Sequence, residues 1–213
     1  MTRRVFTLSL IAASTLWVAG CATGPAQPGV YVNNPQGTEF TYLRKSSGSY
    51  GVADGPVHWK LTTAQWQGRT LVASVSPEAG SNLLDPANHA LMATLNTAGK
   101  PVNSFEPGLG FRYPMAVGQT WTDKIQLTLH ARGQTIPYEV RYTVEAFEPV
   151  TVPAGTFQAY RVSTVDSMGE KTTQWTAPYL GLNTVKRILE RPATHPAGAG
   201  QLVGELSAFV KPR

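Results

Sequence analysis

The sequence predicts an all-β fold, with long antiparallel strands in a meander curled into an open or closed barrel. Three observations predict it. Residues 119–131 and 136–147 alternate apolar and polar side chains at a period of two. Turn signals built from Gly and Pro recur between short apolar runs along most of the chain. No window carries a convincing helical period and no βαβ rhythm is present, which favours an antiparallel sheet. The nearest helical candidate, Ser81 to Leu95, contains Pro86 and allows one short helix at most.

In chain order, Arg3 and Arg4 precede an apolar run from Val5 to Val18 and then small residues up to Cys21. These are the charged, apolar and small-residue regions of a secretory signal over residues 1–20. The apolar run is too short to cross a hydrocarbon core of about 30 Å as a helix. Val18-Ala19-Gly20-Cys21 resembles the bacterial lipobox. That resemblance implies cleavage before Cys21, acylation of its thiol and new amino terminus, and attachment to membrane through lipid. Cys21 is the one cysteine of the chain, so lipidation leaves no thiol for a disulfide. Residues 21–37, the lipidated terminus and a segment rich in Gly, Pro and Asn, read as a flexible tether. Residues 38–213 read as a single β-domain, large enough for a core without covalent staples.

Strands are expected at about 38–44, 57–66, 69–76, 89–96, 110–114, 157–165, 171–177, 182–190 and 202–210. The clearest unit is the hairpin of 119–131 and 136–147. Trp121, Ile125, Leu127, Leu129 and Ala131 share one face of the first strand. Ile136, Tyr138, Val140, Tyr142, Val144 and Ala146 share one face of the second. With Arg132–Thr135 as the loop, Gln126 faces Arg141 and Thr128 faces Glu139. A one-residue slip would turn Tyr138 and Tyr142 outward. Pro137, lacking an N–H, is expected at an irregular hairpin tip.

Three further segments carry turn chemistry: Pro114…Gly118…Trp121, Val152-Pro153-Ala154-Gly155-Thr156-Phe157, and Trp175-Thr176-Ala177-Pro178-Tyr179-Leu180-Gly181-Leu182. In this order, over Phe111 to Leu189, they resemble a family of uncharacterised secreted and lipid-anchored bacterial proteins. The resemblance implies a mostly β domain of the cell envelope and names no activity. Physically, the motif residues read as turn formers and core aromatics.

Removing residues 1–20 takes Arg3 and Arg4 and no acid, so the formal charge falls from +5 to +3. The remaining basic residues are scattered, which argues against nucleic acid as a partner. His58, His89, His130 and His195 form no metal-ligand spacing, and no cofactor or metal is expected. Asp85 and His89 are better explained by a capped turn, and His130 by a solvated position. No nucleophile elbow or phosphate loop is present, so the chain reads as a non-enzyme. Asp123, interrupting its apolar face, and Arg161 are expected at rims with access to solvent.

These features predict a lipid-anchored outer-membrane lipoprotein on the periplasmic side, serving as an envelope accessory or binding protein. Sorting to the outer membrane rests on Ala22, because an Asp after the acylated cysteine resembles the inner-membrane retention signal. The alternative is a carrier or receptor of a hydrophobic ligand, an acyl chain or a lipoprotein, in a half-barrel trough lined by Trp59, Trp121, Tyr138, Tyr142, Phe157 and Trp175. Packed solid, the same aromatics would simply fill the core. An envelope hydrolase using His58, His89 and Asp123 is the third reading.

Overall fold

A computed structural model describes residues 29–212. Cys21 and the signal therefore lie outside the described residues. Among those described, twelve strands follow one another: β1 (Glu39–Gly48), β2 (Gly55–Trp66), β3 (Arg69–Ser76), β4 (Gly80–Leu84), β5 (Leu91–Leu95), β6 (Pro101–Leu109), β7 (Thr120–Leu129), β8 (Gln134–Val152), β9 (Gly155–Asp166), β10 (Lys171–Ala177), β11 (Leu182–Arg191) and β12 (Gly200–Val210). Each pairs antiparallel with its neighbours in sequence, and β1 also pairs with β12, so the meander closes into a barrel. Tyr42 on β1 sits opposite Val57 on one side and Leu206 on the other. Closure removes the unpaired sheet edges that a long meander would otherwise expose.

An even number of antiparallel strands puts the start of β1 and the end of β12 at one end of the barrel, called here the entry end. The connections β4–β5, β6–β7, β8–β9 and β10–β11 share that end. The far end carries the β1–β2, β9–β10 and β11–β12 loops, among others.

The period-two faces separate as expected. Trp121, Ile125, Leu127, Val140, Tyr142 and Val144 are buried. On the opposite face Lys124 pairs with Glu139 at 3.2 Å, and the hydroxyls of Thr128 and Thr135 lie 2.9 Å apart. A barrel that faced lipid would be apolar on this outer surface; this hairpin presents charge and hydroxyl there. The β2–β5 side carries a separate apolar cluster of Leu71, Ala73, Leu83, Met92 and Ala93.

The β8–β9 hairpin does more than continue the sheet. A bulge between Val144 and Ala146 re-aims it. Pro153 and Ala154 form the two-residue turn between Val152 and Gly155. The tip then reaches β12, which is not its ladder neighbour, and the Ala154 N–H donates to the Leu206 carbonyl at 3.0 Å. Val150 and Val152 join Phe40, Leu182, Val185 and Leu206 in one buried cluster. The Val-Pro-Ala-Gly motif thus helps close the entry end.

Two expectations need correction. The β7–β8 ladder pairs Gln126 with Pro137 and Lys124 with Glu139, a register four residues from the expected one. The cause is local: His130–Arg132 form a 3-10 turn and Gly133 takes a left-handed conformation, so the loop starts earlier than Arg132. The shift is even, so Tyr138 and Tyr142 stay on the core side. Pro137 accordingly sits within the ladder rather than at the tip. Ser81 to Leu95, limited by Pro86 to one short helix at most, is β4, a turn and β5, the last within the strand expected at 89–96. In that turn Asp85 accepts the Ala87 N–H at 2.8 Å, the capping expected of it. Residues 110–114 are loop, and the strand lies earlier, as β6.

The register is directly testable. Paired Cα atoms in an antiparallel ladder lie about 4.5–5.5 Å apart, within disulfide reach. The double variant Lys124→Cys/Glu139→Cys should cross-link on mild oxidation, read by a mobility shift on non-reducing gels. Gln126→Cys/Arg141→Cys should not, because four residues of offset separate the pair by roughly 13 Å.

Candidate functional site

The entry end is built from residues 29–37 and the loops they touch. The Met115 N–H donates to the Gly29 carbonyl at 2.7 Å, Val32 N–H to the Pro178 carbonyl at 2.9 Å, and Gly37 N–H to the Leu61 carbonyl at 2.8 Å. The Tyr31 hydroxyl and the Asn34 amide both donate to the Gly181 carbonyl at 2.9 Å. This stretch, read from composition as part of a free tether, instead lies as a strap across the barrel end. It lacks periodicity because it is held by single contacts, Gly29 with Met115, Val32 and Asn34 with the Pro178–Gly181 turn, and Gly37 with Leu61. A Cβ at Gly29 would collide with the Met115 carbonyl. Gly181, at φ 70°, follows the Pro178–Leu180 3-10 turn, and a Cβ there would strike Val32 and Asn34. The turn of the third motif is therefore shaped to receive the strap.

Tyr31 is the anchor of that strap. Its ring lies 3.8 Å from His89 and 5.2 Å from Tyr113, centroid to centroid. Tyr113 donates its hydroxyl to Asn183 at 2.9 Å, and Tyr42 donates to the Thr184 carbonyl at 2.9 Å. Burial pushes the Tyr31 hydroxyl up to about 12. Burial also holds the His89 imidazole below its ordinary value, with Asp85 opposing in part.

Of the six aromatics expected to line a trough, Trp121 and Tyr142 stack at 4.7 Å and 7° in one buried cluster, with Tyr138 packed against it. The Tyr138 hydroxyl donates to the Asp166 carboxylate. Trp59 and Phe157 pack at the other cluster, around Phe40 and Leu206. Trp175 touches that cluster's margin, but its indole donates to Glu148 at 2.9 Å and Lys186 lies over its ring. The six therefore divide between two packed clusters. Two depressions, of about 490 Å³ beside Leu61 and Val75 and about 180 Å³ beside Ile125 and Tyr138, involve outward residues such as Lys60, Lys124 and Glu139.

Toward the far end the inner face becomes charged. Lys186 pairs with Glu205 at 2.7 Å on the outer face of β11. Alternation therefore puts Val185, Arg187, Leu189 and Arg191 on the inner one, with Gly204 opposite Arg187. Arg191 donates to Glu170 at 2.7 Å and stacks over the Tyr50 ring at 3.9 Å. The Tyr50 hydroxyl is buried beside Glu170, and burial together with that carboxylate raises it from the ordinary tyrosine value. Arg187 lies among Tyr42, Tyr50 and Glu170; burial lowers its guanidinium from the ordinary arginine value while those three oppose. By accessible surface, however, its side chain is exposed to solvent. A residue on the core face with barrel around it and accessible surface of its own faces a hydrated lumen. Sequence reading passed over Arg187, although a cation at an apolar-parity position between Val185 and Leu189 was a usable signal.

The remaining polar candidates are dispersed. His58 contacts Glu78 at 3.0 Å on the surface, and that contact draws the Glu78 carboxyl down to about 2. His130 meets Ser104, and His195 caps a loop turn through Ala197. Asp123 accepts from Gly110 N–H at 3.2 Å and Arg112 at 3.4 Å. Arg161 bridges Glu145 and Glu148, each at 3.2 Å. His58, His89 and Asp123 thus have separate partners. Among the described residues no group of three His, Cys, Asp or Glu could hold a metal ion.

No family model matches the sequence, and no curated protein does. Three solved structures are similar in overall shape. The hypothetical lipoprotein YmcC from Escherichia coli shares 12% identity over 84% of this chain and 85% of its own, with a TM-score of 0.45. A protein from Bacteroides fragilis described as exported and YmcC-like in fold shares 13%, over 85% and 99%, at 0.43. A protein from Parabacteroides distasonis described as a lipoprotein shares 10%, over 86% and 99%, at 0.41. These likenesses bear on neither activity nor ligand.

The His89 environment generates a pH prediction. A histidine whose folded value lies below the ordinary 6.5 stabilises the fold fully above 6.5, and that contribution is lost as pH falls through the folded value. Melting temperature should therefore fall more steeply in the wild type than in His89→Phe between about pH 7 and about pH 5. Parallel curves would show that His89 does not govern the strap.

Proposed function

We propose that this chain is a lipid-anchored envelope protein, held by Cys21 at the periplasmic face of the outer membrane and acting without catalysis as a binding accessory. The observation that carries the reading is the strap. Seven residues lie between Cys21 and Gly29, so the eight steps reach at most about 28 Å at full extension. Because the chain from Gly29 onward is fastened across the entry end, that end faces the bilayer at short range and the far end faces away. Three acyl chains would make such attachment effectively permanent, since a single chain binds only marginally. The polar outer surface of the β7–β8 hairpin suits a barrel standing in water beside the membrane.

A trough for an acyl chain finds less support. Trp121 and Tyr142 are stacked against one another with Tyr138 packed beside them, and Trp59, Phe157 and Trp175 lie at a different cluster.

Metabolic labelling with an alkyne fatty acid, followed by membrane fractionation, tests the anchor. The wild type should carry label and sediment with outer membrane; Cys21→Ser should lose label and appear in the soluble periplasmic fraction. Ala22→Asp should move the protein to the inner-membrane fraction. Equal membrane retention of Cys21→Ser would overturn the anchor, and an unmoved Ala22→Asp would overturn the sorting inference alone.

A further inference from the structure

We propose that the inner face around Arg187 is a binding site for an oxyanion, the phosphate or carboxylate head of a small molecule, admitted through the far end of the barrel. The site is independent of how the chain is attached to membrane.

Four observations converge on it. First, Arg187 takes part in no hydrogen bond or ion pair among the described residues, while the neighbouring Arg191 is neutralised by Glu170 at 2.7 Å. A guanidinium drawn out of bulk water ordinarily has a carboxylate or several carbonyls to receive its donors. Glu170 is the one carboxylate among its ionisable neighbours, and it is already engaged. The local balance of Arg187, Arg191 and Glu170 is one positive charge.

Second, there is room. Gly204 sits directly opposite Arg187 on β12 and opposite Arg44 on β1, so two arginines flank a glycine on the same face. At about 4.8 Å per strand spacing, the two backbones stand roughly 10 Å apart. A Cβ built on Gly204 meets no atom within 4 Å. Glycine weakens a strand interior and often marks close approach of a ligand; here no backbone or side chain of the barrel fills the gap.

Third, a second donor stands close by: the buried Tyr50 hydroxyl has the Glu170 carboxylate as its neighbour and no partner in close hydrogen-bonding geometry. By contrast Tyr42 is committed to the Thr184 carbonyl, and Gln174, opposite Arg187 on β10, to Asn183 and Thr184. Fourth, the approach is directional. Arg187 lies five residues up β11 from Leu182, roughly 16 Å above the strap and aromatic plug of the entry end. Arg191, Tyr50 and Glu170 stand between it and the far end. Guanidinium presents paired N–H donors in a plane that matches two oxygens of a carboxylate or phosphate, which lysine does not.

The purified full-length protein should bind octyl phosphate saturably by calorimetry. Arg187→Gln should weaken binding at least about tenfold, as expected for loss of a charge-assisted pair. Gly204→Val, which keeps the charge and fills the gap, should weaken it as much; Arg141→Gln, on the outer surface, should leave it unchanged. Inorganic phosphate and octanoate separate the sources: binding of phosphate equal to octyl phosphate indicates a free anion, and binding confined to the alkyl compounds indicates a lipid headgroup. Without ligand, Arg187→Gln and Gly204→Val should melt no lower than the wild type, since one removes an unpaired charge and the other adds a strand former. Three results would overturn the site: no binding of any of the three anions, wild-type affinity in both variants, or a marked drop in melting temperature in both, which would assign the two residues to the fold.

Discussion

The hydrogen-bonded seam between β1 and β12 is the constraint on which the rest of this structure depends. It joins the first and last strands, with Glu39 opposite Val210 and Gly48 opposite Gly200. Without it the meander would be a curled sheet with two open edges, and its inner face would be a groove. With it the sheet has an inside and two ends. Every later feature is a consequence: a plug must come across an end, and a polar group on the inner face is held among atoms on all sides. The seam also spans nearly the whole chain, so its loop-closure entropy must be met before the contacts it makes possible can form. The Ala154 contact to Leu206 reinforces β12 from the opposite side, from a hairpin that is itself local in sequence and can form early.

The strands were legible where one face was wet and one dry. Trp121 to Leu129 and Tyr138 to Val144 alternate cleanly because the barrel buries one side of them only. The register between them was not legible, because it is decided by the left-handed Gly133 and the preceding 3-10 turn, and a short Gly-containing loop is compatible with more than one placement. Only parity survives such an error: it keeps Tyr142 and Trp121 on the inner face, and the observed register sets them opposite one another. β4 and β6 were hidden for a different reason. Gly80–Leu84 is too short to show a period, and Pro101–Leu109 contains two prolines and keeps an irregular ladder with β5. There, pairing is imposed by neighbours rather than by the segment's own pattern.

The strap and the charged lumen escaped sequence reading because neither follows a period. Residues 29–37 bind through single contacts, a carbonyl at Gly29, a ring at Tyr31 and an amide at Asn34, and composition reports such a segment only as non-periodic. Arg187 was visible as an exception to alternation, but Ile188 beside it blurred the pattern that would have made the exception plain. Gly204 was equally silent, since a glycine in a strand has several causes. The two become informative together, once the β11–β12 register sets them side by side.

The two ends of the barrel are consequently different solvents. At the entry end, Tyr31, His89 and Tyr113 pack ring against ring, and burial there favours neutral groups: it raises the tyrosine hydroxyls and keeps the imidazole uncharged. At the far end, Arg191 and Glu170 remain an ion pair and Arg187 keeps contact with water. A charge is tolerated inside a closed sheet only where water or a counter-ion can reach it. Arg187 therefore stands on the far-end side of the strap and of the groups there that resist ionisation. In a protein held through Cys21 a short reach from the bilayer, the sealed end would be the one against the membrane and the charged end the one open to the periplasm. Strap and lumen charge then act as parts of a single arrangement: the described residues 29–37 lie across one mouth, and the uncompensated arginine stands toward the other.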